Sequence, residues 1–179
     1  MRANSPSFFS FHLGAAMITQ QRLKQLLDYN PATGVFTWIK SARGVKRSKN
    51  RVAGCVRTPP WEPYIVIRVD RVLYLAHRLA WLWFYGTWPQ NEIDHIDCNP
   101  SNNAIQNLRT ATSSDNKGNA RTSKANTSGY KGVSVHQKTG SWRARIRGYH
   151  LGLYSNAAEA HLAYMAAARK HFGQFARAA

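Results

Sequence analysis

Acidic residues are scarce in this 179-residue chain, with eight Asp plus Glu set against 25 Lys plus Arg and a formal net charge of +17. That imbalance implies a polyanionic partner, nucleic acid before an anionic membrane. Cysteine is equally sparse. Cys55 and Cys98 lie far apart and form no CxxC pair, which argues against a disulfide framework and a cysteine-rich zinc site and fits a reducing cytoplasm. Long apolar runs are missing too: none approaches the ~20 residues that cross a bilayer. The basic residues are spread over several elements and do not line one amphipathic helix, so a membrane partner is not expected. What is present suffices for a core, because 44% of residues are hydrophobic and six Trp, eight Tyr and seven Phe are among them. The length suits one medium domain or two small ones.

Residues 1–16 carry Phe8, Phe9, Phe11 and Leu13, but Ser10 and His12 interrupt them and the apolar stretch is too short for a secretory signal. They read as a disordered tail, with patterned sequence from Met17. Thr19 is placed to cap a helix over Gln20–Tyr29, and a strand follows over Gly34–Ile39. Lys40 to Arg57 holds seven Lys or Arg and no acid. In a chain of this charge, that loop is expected to touch phosphates through Lys46, Arg47, Lys49 and Arg51. Tyr64–Val69 and Val72–Leu75 form a hairpin around Asp70-Arg71. His77–Tyr85 reads as a buried helix closed by Gly86, with His77 structural.

Three of the eight acids, Glu92, Asp94 and Asp97, crowd into the window Glu92-Ile93-Asp94-His95-Ile96-Asp97. Hydrolysis of a phosphodiester needs a base for water, a hard cation at the leaving oxygen and a group that fixes the base's tautomer. Asp94 supplies a carboxylate oxygen suited to Mg²⁺. His95 can serve as base, since a free imidazole has a pKa near ~6.5. Asn107 can orient the ring without adding charge, and Asn116 offers a neutral carbonyl oxygen as a second metal ligand. Strands are expected over Glu92–Ile96 and Ile105–Arg109, with turn chemistry in Asn99-Pro-Ser-Asn-Asn103. Thr112 to Asp115 matches a capping box that would start a helix carrying Asn116. Adjacent residues of a flat strand face opposite ways, so Asp94 and His95 share a site only where the strand ends or bends. Glu92 reads as an exposed flank and Asp97 as shaping the turn.

The ordered set His77-Arg78, Asp94-His95-Ile96-Asp97, Asn99, Asn102-Asn103, Asn107-Leu108-Arg109 and Asn116 resembles the His-Asn-His (HNH) endonucleases, in particular the phage homing-endonuclease branch. The resemblance spans roughly Ala76 to Arg121. It implies a ββα-metal site with His95 as general base, Asn107 as its orienting partner, Asp94 and Asn116 as ligands to one Mg²⁺ or Mn²⁺, and Arg109 positioning the DNA backbone. Cys98 stands where that family commonly has Gly, and Asn116 where it often has His.

Beyond an Asn-, Ser- and Thr-rich stretch come three short strands, Gly129–Val135, Ser141–Arg147 and Tyr149–Tyr154, and an Ala-rich helix over Asn156–His171. Alternation in Trp142–Arg147 sends Trp142, Ala144 and Ile146 to one face and Arg143, Arg145 and Arg147 to the other. Gly-Tyr-Lys-Gly-Val at 129–133, Trp142-x-Ala144-x-Ile146, Leu151-Gly152-x-Tyr154 and Glu159-Ala160-x-x-Ala163-Tyr164 resemble the Apetala/ethylene-response-factor DNA-binding domain, although the link at 147–149 is shorter. By that resemblance Lys131, Trp142, Arg143, Arg145 and Arg147 contact DNA.

The expected fold is α+β. It comprises a tail (1–16), a β-rich region with the basic loop (17–76), an HNH ββα-metal core (77–121), a linker (122–128) and a three-stranded antiparallel sheet packed on one helix (129–179). The expected function is that of a site-targeted, metal-dependent endonuclease. It would act as a monomer on double-stranded DNA in the cytoplasm of a bacterial or phage-infected cell, and a cutting core should survive removal of 129–179. The rivals are a non-catalytic, sequence-specific DNA-binding regulator and a nuclease for structured RNA.

Overall fold

The structure is a computed structural model that describes residues 17–39, 51–57, 63–123 and 125–178. Lys46, Arg47 and Lys49 of the basic loop, and the tail 1–16, lie outside the described residues. The chain divides into two compact units. One is drawn from the sequence up to Pro89 and from Pro100–Leu108, the other from Gln90–Asn99 and from Arg109 onwards. The architecture is the expected mixture of small antiparallel sheets and helices. Among the described residues no helix is long and apolar enough to cross a membrane.

In the first unit, α1 (Gln20–Leu26) starts where expected, with the Thr19 hydroxyl accepting from Arg22 N. It stops three residues earlier than the periodicity predicts. Leu27 turns extended, and Leu27–Asn30 becomes β1, antiparallel to β2 (Val35–Trp38) with Leu27 opposite Trp38 and Tyr29 opposite Phe36. Leu27 and Tyr29 are buried while Asp28 is exposed, so the same residues that suit a helix face also suit one side of a strand. The hairpin turn is closed by Asn30, whose side-chain oxygen accepts from Ala32 N and Thr33 N.

That hairpin holds the polar loop carrying Asn107. Tyr29 Oη donates to Asn103 O at 2.7 Å and Ile105 N donates to Pro31 O at 2.9 Å. Gly34, at φ 74°, is pressed against the Asn103 backbone, where a Cβ would lie 2.2 Å from the carbonyl carbon. Only glycine meets both demands. Asn107 Nδ2 donates to Asn102 O at 2.8 Å. Ile105–Asn107 forms a 3₁₀ turn, so the predicted strand begins only at Leu108. Asn107 N bonds back to Ala104 O, which spends the donor on a turn and leaves none there for a ladder.

β3 (Cys55–Val56), β4 (Ile65–Val69) and β5 (Val72–Leu75) form a sheet in that order. Its hairpin turns at Asp70-Arg71, both at positive φ, as a two-residue turn of this twist requires. The short strand β3 interrupts what sequence composition presents as one long loop. Arg51 is exposed, and its carbonyl accepts from Trp38 N. α2 (Ala76–Tyr85) buries Ala76, His77, Leu79, Ala80 and Leu82 and ends at Gly86 in the left-handed region. His77 is buried against the edge of Tyr64, the structural place expected of it.

In the second unit, which takes up β7 (Leu108–Ala111) from Arg109, β6 (Glu92–His95) pairs with β7, and α3 (Ser113–Asn119) follows. The capping box is present. The Thr112 hydroxyl accepts from Asp115 N, and Asp115 accepts from Thr112 N at 2.9 Å. The antiparallel sheet of β8 (Val133–Val135), β9 (Trp142–Ile146) and β10 (Tyr149–Tyr154) has β9 in the middle. The short 147–149 link is a tight turn, with Arg147 and Gly148 both at positive φ. α4 (Ala157–Phe172) packs on this sheet through Ala160, Tyr164, Ala168 and Phe172. One buried cluster joins Ala111 of β7 to Ile146, Tyr164, Ala168, Phe172 and Phe175. Gly118 of α3 meets Phe172 so closely that a Cβ would sit 2.7 Å from its ring. The strand–strand–helix segment and the C-terminal sheet therefore share a core.

Hydrogen bonding to Thr112, the side-chain bond first, holds the Asp115 carboxyl below its ordinary range. A lowered folded pKa means that the stabilisation exists above the unfolded value near ~3.9 and is lost as pH falls through the folded value. Asp115→Asn is therefore expected to melt below wild type at neutral pH. The gap should close below about pH 4, as read by thermal melts across that range.

Candidate active site

β6 and α3 face one another through two side-chain rungs. Glu92 and Asp94, two apart on a strand, share a face. Asn116 and Asn119, three apart on a helix, share another. Asn116 Nδ2 donates to Glu92 Oε2, and Asn119 Nδ2 donates to Asp94 Oδ1 and Oδ2 at 2.9 and 3.0 Å. The same Asn119 nitrogen reaches His95 O at 2.9 Å. Asp94 and His95 are both buried, at 9% and 5% exposure, so both faces of the strand are covered at this end.

β6 ends at His95. Its carbonyl accepts from Cys98 N at 2.8 Å, closing a tight turn with Cys98 at φ 57°. A position in the left-handed region explains why glycine suits that place. Cys98 uses its side chain instead, with Sγ donating to Asn119 O at 3.0 Å and accepting from Arg177 Nη1 at 3.3 Å. Asp97 is exposed and shapes the turn through its bond from Asn99 N.

Arg109 takes an unexpected position. It closes on Asp94, with Nε and Nη2 each 2.8 Å from Oδ2, and the two side chains are only 15% and 10% exposed. Its guanidinium lies over Phe175 and Nη1 donates to Gln174 O. The cation expected to reach a DNA backbone is thus held inside the protein. Lys131 is engaged similarly. Its Nζ donates to Gly118 O and Ala120 O, at 2.6 Å each, and so satisfies the C-terminal carbonyls of α3. Burial pushes this amine below its ordinary value.

The donor set fits a hard divalent cation. Asn116 Oδ1 is buried and has no hydrogen-bond partner among the described residues, a costly state for an amide oxygen unless a ligand meets it. A carboxylate offers about four lone-pair sites. Arg109 and Asn119 saturate Oδ2 of Asp94 but leave Oδ1 with room for one more bond. Two protein oxygens without thiolate or imidazole suit Mg²⁺ or Mn²⁺, which keep water and substrate phosphate in their remaining positions. Among the described residues no group of three His, Cys, Asp or Glu is close enough to hold a metal. Such a site therefore depends on the asparagine.

On the C-terminal sheet, Ala144 and Ile146 are buried toward α4, and Trp142 is half-buried against Val133, Ala144 and Ala160. Arg143 is half-buried and Arg145 exposed on the other face; Arg143 Nη2 donates to Ser134 Oγ at 3.4 Å and Arg145 Nη2 to Gly148 O at 3.2 Å. Arg147 departs from that face. β9 ends at Ile146, and Arg147 occupies the turn with its guanidinium 2.8 Å from His171 Nε2 on α4. Sequence reading passed over Asn119, Gln174 and Phe175. The i, i+3 spacing of Asn116 and Asn119 was a local signal for the first; nothing local marks the other two.

Residues 74–117 match the HNH endonuclease family. The stretch holding Asp94, His95, Asn107 and Asn116 is accordingly an HNH endonuclease domain. Protein 3.8 of Escherichia phage T7 is 42% identical over 71 residues, covering 39% of this chain and 59% of that protein. The chain thus spans under two thirds of that relative's length. A structure described as DNA binding and cleavage by the HNH homing endonuclease I-HmuI aligns at a TM-score of 0.39 and 24% identity, over 56% of this chain and 57% of that one. Overlap at that level does not inform function.

Proposed function

We propose that this chain is a site-targeted, metal-dependent DNA endonuclease in which His95 is the general base, Asn107 its orienting partner, and Asp94 and Asn116 hold one Mg²⁺ or Mn²⁺. The observation that carries this reading is the buried Asn116 oxygen without a hydrogen-bond partner among the described residues, inside the stretch that matches the HNH family and holds Asp94. A divalent ion bound there supplies positive charge for the leaving 3′ oxygen. His95 takes a proton from the attacking water. Glu92 turns the Asn116 amide so that its nitrogen is engaged and its oxygen is presented. Arg109 and Asn119 fix the Asp94 carboxylate.

Double-stranded DNA is the proposed substrate. The chain's net charge supports it, and affinity should fall with salt at a log–log slope of about 0.9 per phosphate neutralised. Arg143 and Arg145 are the proposed reading residues of the C-terminal sheet, where paired donors can meet guanine edges. Lys46, Arg47, Lys49 and Arg51 are proposed phosphate contacts.

Supercoiled DNA incubated with Mg²⁺, with Mn²⁺ or with EDTA tests the reading. Cutting is expected with either metal and not with EDTA. Asp94→Asn should bind DNA as wild type does and fail to cut. Binding without cutting by wild type under every condition would leave the DNA-binding regulator instead, and preferential cleavage of RNA would move the substrate class.

A further inference from the structure

The groups that meet the face and Nη1 of Arg109 come from residues 174–175, far along the sequence from it. α4 stops at Phe172, and the 3₁₀ turn Gly173–Phe175 lays Phe175 beneath Arg109 with the guanidinium carbon 3.8 Å from the ring centroid. Gln174 O accepts from Arg109 Nη1 at 3.0 Å. Two residues on, Arg177 N donates to Gly118 O at 3.3 Å, and its guanidinium reaches Cys98 Sγ. The tail therefore lands on β7, on α3 and on the turn after β6, the three pieces that surround Asp94.

We propose that this tail, Gln174 to Arg177, is a positioning element of the cleavage site: Phe175 and the Gln174 carbonyl fix Arg109, and Arg109 fixes the carboxylate of Asp94. The inference rests on the metal-dependent reading above. A guanidinium is rigid and planar, so contacts on its face and at Nη1 determine where the remaining fork points. That fork, formed by Nε and Nη2, occupies Oδ2. With Asn119 Nδ2 donating to both oxygens, the carboxylate keeps one rotation, and Oδ1, which accepts from Asn119 alone, keeps room for one more bond. Groups that orient a metal ligand in this way typically change metal affinity or activity by 10–100-fold when removed. Phe175 also packs on Ala111 and Phe172. A useful test must therefore separate positioning from simple core filling.

Mn²⁺ serves as the probe, with its binding to the full-length chain followed by the loss of the free-ion paramagnetic resonance signal. Phe175→Leu keeps an apolar side chain but removes the aromatic face, whereas Phe175→Tyr keeps the face. For Phe175→Leu the expected result is Mn²⁺ binding weakened by about 10-fold. The Mn²⁺ concentration for half-maximal nicking should rise in step, with thermal midpoint and DNA affinity in EDTA close to wild type. Phe175→Tyr should restore both metal readouts. Should Phe175→Leu melt early, Arg109→Lys replaces it, since that change keeps the charge while losing the fork and the stack. An unchanged Mn²⁺ midpoint in a folded variant overturns the positioning role, as does an equal loss in Phe175→Tyr. Wild type that binds Mn²⁺ but never cuts would remove the nuclease reading and leave the binding comparison decisive. Wild type that binds no Mn²⁺ removes both.

Discussion

His95→Ala is expected to slow metal-dependent cleavage by about 10²–10⁴-fold, the usual contribution of a positioned general base. The loss should appear in the rate of the chemical step on bound DNA, measured under single-turnover conditions. Affinity for uncut DNA should stay near that of wild type. His95 is buried and its carbonyl closes the turn to Cys98. The backbone bonds survive the substitution, so a melting curve can separate lost chemistry from a lost fold. A variant that folds, binds and still cuts at the wild-type rate would remove His95 from the mechanism. An alternative base would then have to be sought among the groups flanking Asp94, where Glu92 is exposed and already bonded to Asn116.

The second large effect concerns stability. Arg109→Met would leave the Asp94 carboxylate buried without its counter-charge. Breaking one side of a buried pair costs about 3–5 kcal/mol. In a chain of this size, that lowers the melting temperature by roughly 6–20 °C. Adding Asn119 to the account does not change the sign, because an amide hydrogen bond offsets only part of a buried charge. Two rescues are expected. Asp94→Asn in the same background removes the stranded charge and should recover most of the loss. Millimolar Mg²⁺ should recover part of it in the single variant, because a cation bound to the native state stabilises it by mass action. If Arg109 instead served DNA from the surface, Arg109→Met would lower DNA affinity and its salt slope while leaving the melt unmoved. Calorimetry with and without Mg²⁺, set beside DNA titrations, distinguishes these outcomes.

Much of this was legible in the chain because the signals were local. Thr112 and Asp115 announce a helix start within four residues, and the box forms as read. Asp70-Arg71 marks its hairpin, and alternation in Trp142–Ile146 places Ala144 and Ile146 inside. The HNH motif, matched over residues 74–117, also lies within one short stretch. Failures came where a distant partner decides. Leu27 and Tyr29 satisfy a helical face and a strand face equally, and pairing with Val35–Trp38 settles the matter. The family resemblances assign Arg109 and Lys131 to DNA. Their actual partners, Asp94 and the last carbonyls of α3, lie 15 and 11 to 13 residues away. Phe175 carries no motif. Only the packing of α4 brings it under Arg109.

The shared core of α3, β7 and α4 bears on how such a chain can change over generations. A recognition module joined by a free tether can be traded for another by recombination at the tether, and the cutting core is unaffected. Here Phe172 and Phe175 cover Ala111 and Gly118. A recombinant exchanging everything after Arg121 would inherit a bare apolar patch on β7 and α3, the elements that hold Arg109 and Asn119 against Asp94. Removal of 129–179 strips the same cover, so a surviving cutting core is no longer the expectation. On the proposed reading of DNA by β9, new target sites would be reached more readily by substitutions on the exposed face of β9 than by acquisition of a foreign module. Any successful exchange must bring its own aromatic residue to lie where Phe175 lies now.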